Sequence, residues 1–307
     1  MHDFCAQRSF ILAAAFALLV FTAIPAHAAG ADQPFSELMR RLASDGFSAR
    51  RIAGVFGQGR VELDLSSATG YFQHREASLD YGQFSSDRSI AAARKYMAAN
   101  RTELEEAEKR YGVDKRVITA ILLVETRLGT FVGRRGVLDT LATLAALAYP
   151  ENQGLLWREV AENPKTGQKR RYEKGVKREP ATRDDVVRWS ERKSDWAYRE
   201  LVAFLRYTGE HGVDPHEVKG SYAGALGYSQ FMPTSILRYA ADGNGDGAID
   251  LFTHADAIHS IASYLAANGW KPGLGRARQE KVVRTYNNSG YYVDAILKIR
   301  DRLSEGE

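Results

Sequence analysis

One acidic side chain stands out by its position. Glu125 closes the run Val117-Ile118-Thr119-Ala120-Ile121-Leu122-Leu123-Val124-Glu125-Thr126. On a helix it falls seven, four and three residues after Ile118, Ile121 and Leu122, so it shares their apolar stripe. A carboxylate among aliphatic groups is costly unless it is paired or protonated. Desolvation favours its neutral form, the form a general acid needs near neutral pH. The plainer alternative is a glutamate at a helix end that reaches water or an arginine, and position alone does not separate the two.

Two polar and aromatic clusters lie downstream. Gly220-Ser221-Tyr222-Ala223-Gly224-Ala225-Leu226-Gly227-Tyr228-Ser229-Gln230-Phe231-Met232-Pro233 packs glycines, hydroxyls and an amide into one short segment. Glycine lets a backbone approach a ligand closely, while tyrosine faces and the Gln230 amide suit sugars. A tight structural turn is the bland reading of the same residues. Tyr286-Asn287-Asn288-Ser289-Gly290-Tyr291-Tyr292 is a third cluster of the same kind.

In this order the three clusters resemble the lytic murein transglycosylase B family. Glu125-Thr126-Arg127-Leu128-Gly129, followed by Val137-Leu138-Asp139-Thr140-Leu141-Ala142-Thr143-Leu144, is similar to that family's catalytic segment. Gly220 to Pro233 resembles its second signature and Tyr286-Asn287-Asn288-Ser289 its third, and the resemblance runs from about Asp87 to Leu303. It implies a lysozyme-like helical catalytic domain, with Glu125 as the single catalytic acid and base. Ser221, Tyr222 and Gln230 would then contact N-acetylated sugars. Tyr286 and Asn287 would close the cleft, Tyr292 would bring a hydroxyl near the acid, and Tyr81 would match a sugar-contacting tyrosine.

The implied reaction cleaves the β-1,4 bond between N-acetylmuramic acid and N-acetylglucosamine in peptidoglycan. Glu125 protonates the glycosidic oxygen, then takes the proton of the muramic C6 hydroxyl as that oxygen closes a 1,6-anhydro ring. Ordinary glycosidases need a second carboxylate as nucleophile or as base for water; here the sugar supplies the attacking oxygen, and no cofactor is required. A hydrolytic muramidase and a non-catalytic wall-binding protein are the alternatives at this point.

Asp242-Gly243-Asn244-Gly245-Asp246-Gly247-Ala248-Ile249-Asp250 follows the opening of an EF-hand-like calcium loop. Oxygen side chains stand at positions 1, 3 and 5, Gly at 6 and the Ala248 carbonyl at 7. Thr253 replaces the usual Glu at position 12, and Asp256 would substitute for it in a longer loop over 242–256. The expected role of such a calcium ion is structural. A Gly/Asp-rich turn that binds nothing is the alternative.

The elements that must position these groups are mainly helical. Apolar residues at spacings of three and four predict helices over 34–56 (a short pair), Asp87 to Tyr111, Lys115 to about Arg127, Leu138 to Ala148, Asp195 to Gly212, Ala255 to Asn268 and Ser289 to Leu303. Gly112 stops the second and Asp114 caps the third. Residues 61–84 show no clear period and read as irregular, and little β structure is expected beyond a short ribbon within 151–194.

At 307 residues, 44% hydrophobic and 26% charged, with one Cys, the chain is neither disordered, collagen-like nor a disulfide scaffold. The first 28 residues read as a cleaved signal peptide, with Arg8 ahead of the apolar stretch Phe10 to Ile24 and Ala26-His27-Ala28 at its end. A retained membrane anchor is the alternative. Residues 29–307 then form an exported, periplasmic catalytic domain, expected to be monomeric, whose partner is the peptidoglycan glycan strand. Lys165, Lys169, Arg170, Arg171, Lys174, Lys177 and Arg178 make 151–194 a basic insertion, either a solvated loop or a surface for an anionic polymer. Nucleic acid is not expected, because no base-reading module is recognisable.

Overall fold

The computed structural model describes residues 34–74, 80–162 and 181–305, all within one unit, Pro34–Glu307. The proposed signal peptide and the seven basic residues from Lys165 to Arg178 lie outside the described residues. The chain opens with α1 (Ser36–Ser44) and α2 (Ala49–Phe56), the expected short pair. Then comes α3 (Leu65–Gln73), followed by a 3-10 turn over Tyr81–Ser85. The segment 61–84 is therefore more regular than its pattern suggests. The buried face of α3 is Ser67, Ala68, Thr69 and Phe72, so small polar residues hide its period.

The expected long helix from Asp87 is two helices, α4 (Asp87–Ala99) and α5 (Arg101–Tyr111), with a non-helical Asn100 between them. Gly112 ends α5 in the left-handed conformation at φ 68°. The side chain of Asp114 accepts the Arg116 N–H at 2.9 Å and starts α6 (Lys115–Thr126). Next come α7 (Val137–Ala146) and α8 (Pro150–Glu162). The helix expected from Asp195 begins twelve residues earlier, as α9 (Arg183–Glu210). Its start is a capping box: Thr182 accepts the Asp185 N–H, and Asp185 accepts the Thr182 N–H. The described residues of the insertion are thus helical apart from Ala181 and Thr182, and the ribbon lies elsewhere. β1 (Arg135–Gly136) pairs antiparallel with β2 (Lys219–Gly220), Arg135 opposite Gly220.

The C-terminal part contains α10 (Pro233–Tyr239), α11 (His254–Ala267), α12 (Arg276–Tyr286) and α13 (Gly290–Ser304). Helix α12 escaped the sequence pattern because it is rich in charge and buries only Val282 and Val283. The side chains of Thr253 and Ser289 cap α11 and α13.

Two buried clusters hold the unit together. One gathers α1, α2, α3, α7 and α9, with Leu38, Leu42, Leu141 and Phe204 essentially fully buried. The other gathers α4, α5, α6, α11 and α13 around Ile118, Ile121, Leu122, Ile258 and Ile296. Each such aliphatic side chain contributes about 1.5–3 kcal/mol on full burial. Tyr264 and Tyr286 pack against both clusters, which places them along the seam where Glu125 is found.

Candidate active site

Helix α6 is buried from Val117 to Leu123, and Ile118, Ile121 and Leu122 have no exposure. Glu125, in the last turn, is half-buried. The expected stripe is therefore real, and the carboxylate sits at its rim. Tyr292 of α13 is 1% exposed and its Oη donates to Glu125 Oε1 at 2.7 Å. Tyr286 lies parallel to Tyr292, ring centroids 6.4 Å apart at 6°. Tyr81, from the 3-10 turn, meets Tyr292 edge-on at 6.2 Å and 88°. Three tyrosines, two from the third cluster and one from the distant 3-10 turn, thus gather around one carboxylate.

The electrostatics follow from burial. Desolvation first, and then the nearby Glu125 charge, push the phenols of Tyr286 and Tyr292 well above their ordinary range. Both stay protonated donors at any pH where the protein works. The Tyr286 hydroxyl donates to the Ser229 carbonyl at 2.5 Å, tying the third cluster to the second. Tyr264 of α11 was not singled out in the sequence. Its ring is 4.9 Å from that of Tyr286, and its hydroxyl donates to the Thr285 carbonyl at 2.6 Å. Its signal was available: it follows the buried Ile261 by three positions, a polar-tipped ring on an apolar stripe.

The backbone around Glu125 is strained in one place. Arg127, Leu128 and Gly129 all have positive φ, at 50°, 62° and 86°. Left-handed conformations cost non-glycine residues of order 1 kcal/mol each and cluster at functional sites. Thr126 fastens this turn: its Oγ1 accepts the Gly129 N–H at 3.0 Å and reaches the Tyr228 carbonyl at 3.1 Å. Gln230, itself at φ 48°, donates from Nε2 to the Val132 carbonyl at 3.2 Å and the Gly227 carbonyl at 2.9 Å. A side chain at Gly133 would run into the Gly220 carbonyl. The loop after Glu125 and the second cluster are therefore zipped together.

Ser221 is half-buried and accepts the Ala223 and Ala225 N–H groups at 3.3 and 3.1 Å, so it shapes its own turn. Tyr222 leans away toward α3, 5.9 Å from Tyr71. Asn287 is half-buried just past α12. Behind the strained turn, the His254 ring lies 4.8 Å from that of Tyr228, tilted by 35°, its Nδ1 3.0 Å from Tyr96 Oη. Burial pulls His254 below its ordinary value of 6.5, which favours the neutral ring.

The 242–256 loop has a different character. Asp242 accepts the Gly245 and Gly247 N–H groups at 2.6 and 2.8 Å, Asn244 accepts that of Asp246, and Asp246 that of Ala248. The Ala248 N–H is the main reason the Asp246 carboxyl titrates below its usual range. Asp256 is buried at 1% and clasps both ends of the loop, accepting from Gly243 at 2.9 Å and from Asp250 at 2.6 Å. Among the described residues no three His, Cys, Asp or Glu side chains converge as a metal cage. The donor set nevertheless suits a hard, oxygen-seeking cation, because it mixes carboxylates, an amide and a carbonyl on an exposed, pre-turned backbone.

Residues 30–281 match the transglycosylase SLT domain family. That range starts well upstream of the segment expected from the sequence and stops just short of Tyr286. The membrane-bound lytic murein transglycosylase B of Escherichia coli K12 is 35% identical over 170 residues, 55% of this chain and 36% of that protein. The match thus spans little more than a third of that relative's length. Among solved structures, soluble lytic transglycosylase SltB1 from Pseudomonas aeruginosa superposes with a TM-score of 0.67 at 24% identity, covering 87% of this chain and 97% of that one. The Escherichia coli lytic transglycosylase Slt35 in complex with calcium gives 0.63 at 20% identity, covering 88% and 92%. The expected mainly α, lysozyme-like fold is therefore the observed one. With more than half of its length matched by that family's model, the chain belongs to the transglycosylase SLT domain family.

Proposed function

We propose that this chain is a peptidoglycan lytic transglycosylase, with Glu125 as its one acid and base. The observation that carries the reading is the 2.7 Å bond from the buried Tyr292 hydroxyl to Glu125 Oε1, on a helix buried in the core from Val117 to Leu123. That bond fixes one carboxylate oxygen, and a proton on the other is given to the glycosidic oxygen. As the C1–O bond breaks, the muramic C6 hydroxyl attacks C1 and its proton passes to the Glu125 carboxylate. The products are a 1,6-anhydromuramic end and a free 4-hydroxyl on N-acetylglucosamine, with no water consumed. Tyr292 and Tyr286 line the carboxylate with rings, which keeps water from competing at C1. Ser221, Tyr222, Gln230, Asn287 and Tyr81 are assigned to the sugars on either side.

Mass spectrometry of digested peptidoglycan tests this. Anhydro ends, one water lighter than hydrolysed ends, are expected, and Glu125→Gln should cut their formation by orders of magnitude while glycan binding persists. Hydrolysed ends from the native protein would make it a muramidase, and no cleavage a binding protein.

The 242–256 loop is proposed to hold calcium through Asp242, Asn244, Asp246 and the Ala248 carbonyl, with Asp256 closing the loop. The Slt35 complex with calcium supports this reading. The ion would stiffen the segment between α10 and α11, and the chemistry does not pass through it. Residues 1–28 are proposed to direct export to the periplasm. No helix among the described residues is long and apolar enough to cross a membrane.

A further inference from the structure

The basic insertion has a described flank that the reaction does not use. Lys193, at its end, donates from Nζ to Tyr71 Oη at 2.8 Å. The same ammonium lies 4.6 Å from the Tyr71 ring centroid and 5.2 Å from that of Trp196. Tyr71 in turn neighbours Trp196 and Tyr222, each at 5.9 Å, and Tyr222 neighbours His74 at 5.4 Å. The buried Trp189 meets Tyr71 edge-on at 5.7 Å and holds it in place.

We propose that this row, from Tyr222 through Tyr71 to Trp196 with Lys193 beside it, is a second sugar-binding surface. It grips the glycan strand away from Glu125 and reads the carboxylates of its stem peptides. The proposal rests on the transglycosylase reading for its choice of polymer.

Three observations support the assignment. Tyr71, Trp196 and Lys193 are half-buried rather than sealed, so part of each side chain stays open to a ligand, as amphipathic rings at sugar sites require. Packing alone explains Trp189, whereas the ammonium, besides its cation–π contacts, brings hydrogen-bond donors to the rings. No carboxylate of the described residues lies within ion-pair distance of Lys193, and an ammonium has two donors besides the one given to Tyr71. Finally, the surface is continuous with the site: Tyr222 adjoins Ser221, in the loop that Gln230 ties to the turn after Glu125.

The test compares KM and kcat on three substrates: a peptide-free murein tetrasaccharide, long peptide-free strands and long peptide-bearing strands. Trp196→Ala should raise KM on both long substrates by about tenfold, the scale of losing one aromatic anchor, and leave the tetrasaccharide unchanged. Lys193→Gln should raise KM on peptide-bearing strands alone, with kcat constant, and Lys193→Arg should restore it. An equal change on all three substrates, or none on any, overturns the proposal. Pelleting with murein sacculi, read without cleavage, keeps the two readings apart. If the native protein forms no anhydro ends while Trp196→Ala loses pelleting, the surface stands and the enzymatic reading falls.

Discussion

Glu125 and the carboxylates of the 242–256 loop sit in the same chain under opposite arrangements. Asp242, Asp246 and Asp256 accept backbone N–H groups, which fix the loop. Glu125 is met instead by a phenol that stays protonated, at the rim of an aliphatic core. A carboxylate saturated by backbone donors can anchor a turn or a cation but is poorly placed to trade protons. One that takes a neutral phenol as donor beside apolar groups keeps that freedom. The buried Glu200 is likewise an anchor: it accepts the Thr234 N–H and hydroxyl at 2.9 and 2.8 Å at the start of α10, while burial raises its carboxyl above the usual range.

Substitutions can break this contrast, and the largest effect is expected at Glu125. Glu125→Gln should cost roughly 10²–10⁴-fold in anhydro-product formation, the usual worth of a positioned acid and base, with an unchanged melting temperature. Asp256→Asn should do the reverse, lowering thermal stability with little effect on turnover per folded molecule.

Tyr292→Phe keeps the ring and removes the donor. A hydrogen bond to a charged group contributes about 1.5–3 kcal/mol, so a fall in kcat of roughly tenfold to a hundredfold is expected, with a shifted pH profile. A profile identical to the native one would show that the bond does not tune the acid.

Calcium removal should be milder. A ligand at a hundred times its Kd stabilises by about 2.7 kcal/mol, so chelation should lower the melting temperature by several degrees, and Asp242→Asn should erase the difference. Identical melting with and without chelator would leave the loop as a plain turn. Thr126→Val is smaller again, about 1 kcal/mol for the lost hydrogen bonds. Its signature would be a lower kcat with KM nearly constant, because the strained turn carries the end of α6.

The smallest effect concerns pH. His259 is buried, neither ring nitrogen has a hydrogen-bond partner among the described residues, and burial lowers it from the ordinary 6.5. The unfolded chain therefore binds the extra proton first as pH falls. Stability is full above pH 6.5 and declines below it until the folded value is passed. His259→Leu should flatten that decline in melting curves taken between pH 7.5 and pH 5. An unchanged slope would shift the cause to His254 or the carboxylates.

Much of the helical frame was legible because its signals are local. Asp114, Gly112 and Ser289 punctuate helices by capping and left-handed geometry, which need no tertiary context. The capping box at Thr182 was equally local, yet it lay inside a stretch whose charge suggested a loop. Helices α3 and α12 were hidden for a physical reason, since their buried faces are small, polar or only two residues wide.

The types and order of Glu125, the glycine-rich signature and the Tyr286–Tyr292 cluster were written in the chain, since a helical stripe and a run of small residues are one-dimensional facts. The sequence by itself also determined that the protein would be helical, because apolar spacing dictates which faces must leave water. Only the folded arrangement decided that Tyr292 reaches Glu125 from 167 residues away, that Tyr264 joins the same wall, and that Asp256 clasps a loop. Those contacts depend on how two buried clusters meet along one seam, and long-range packing leaves no periodic mark in a sequence.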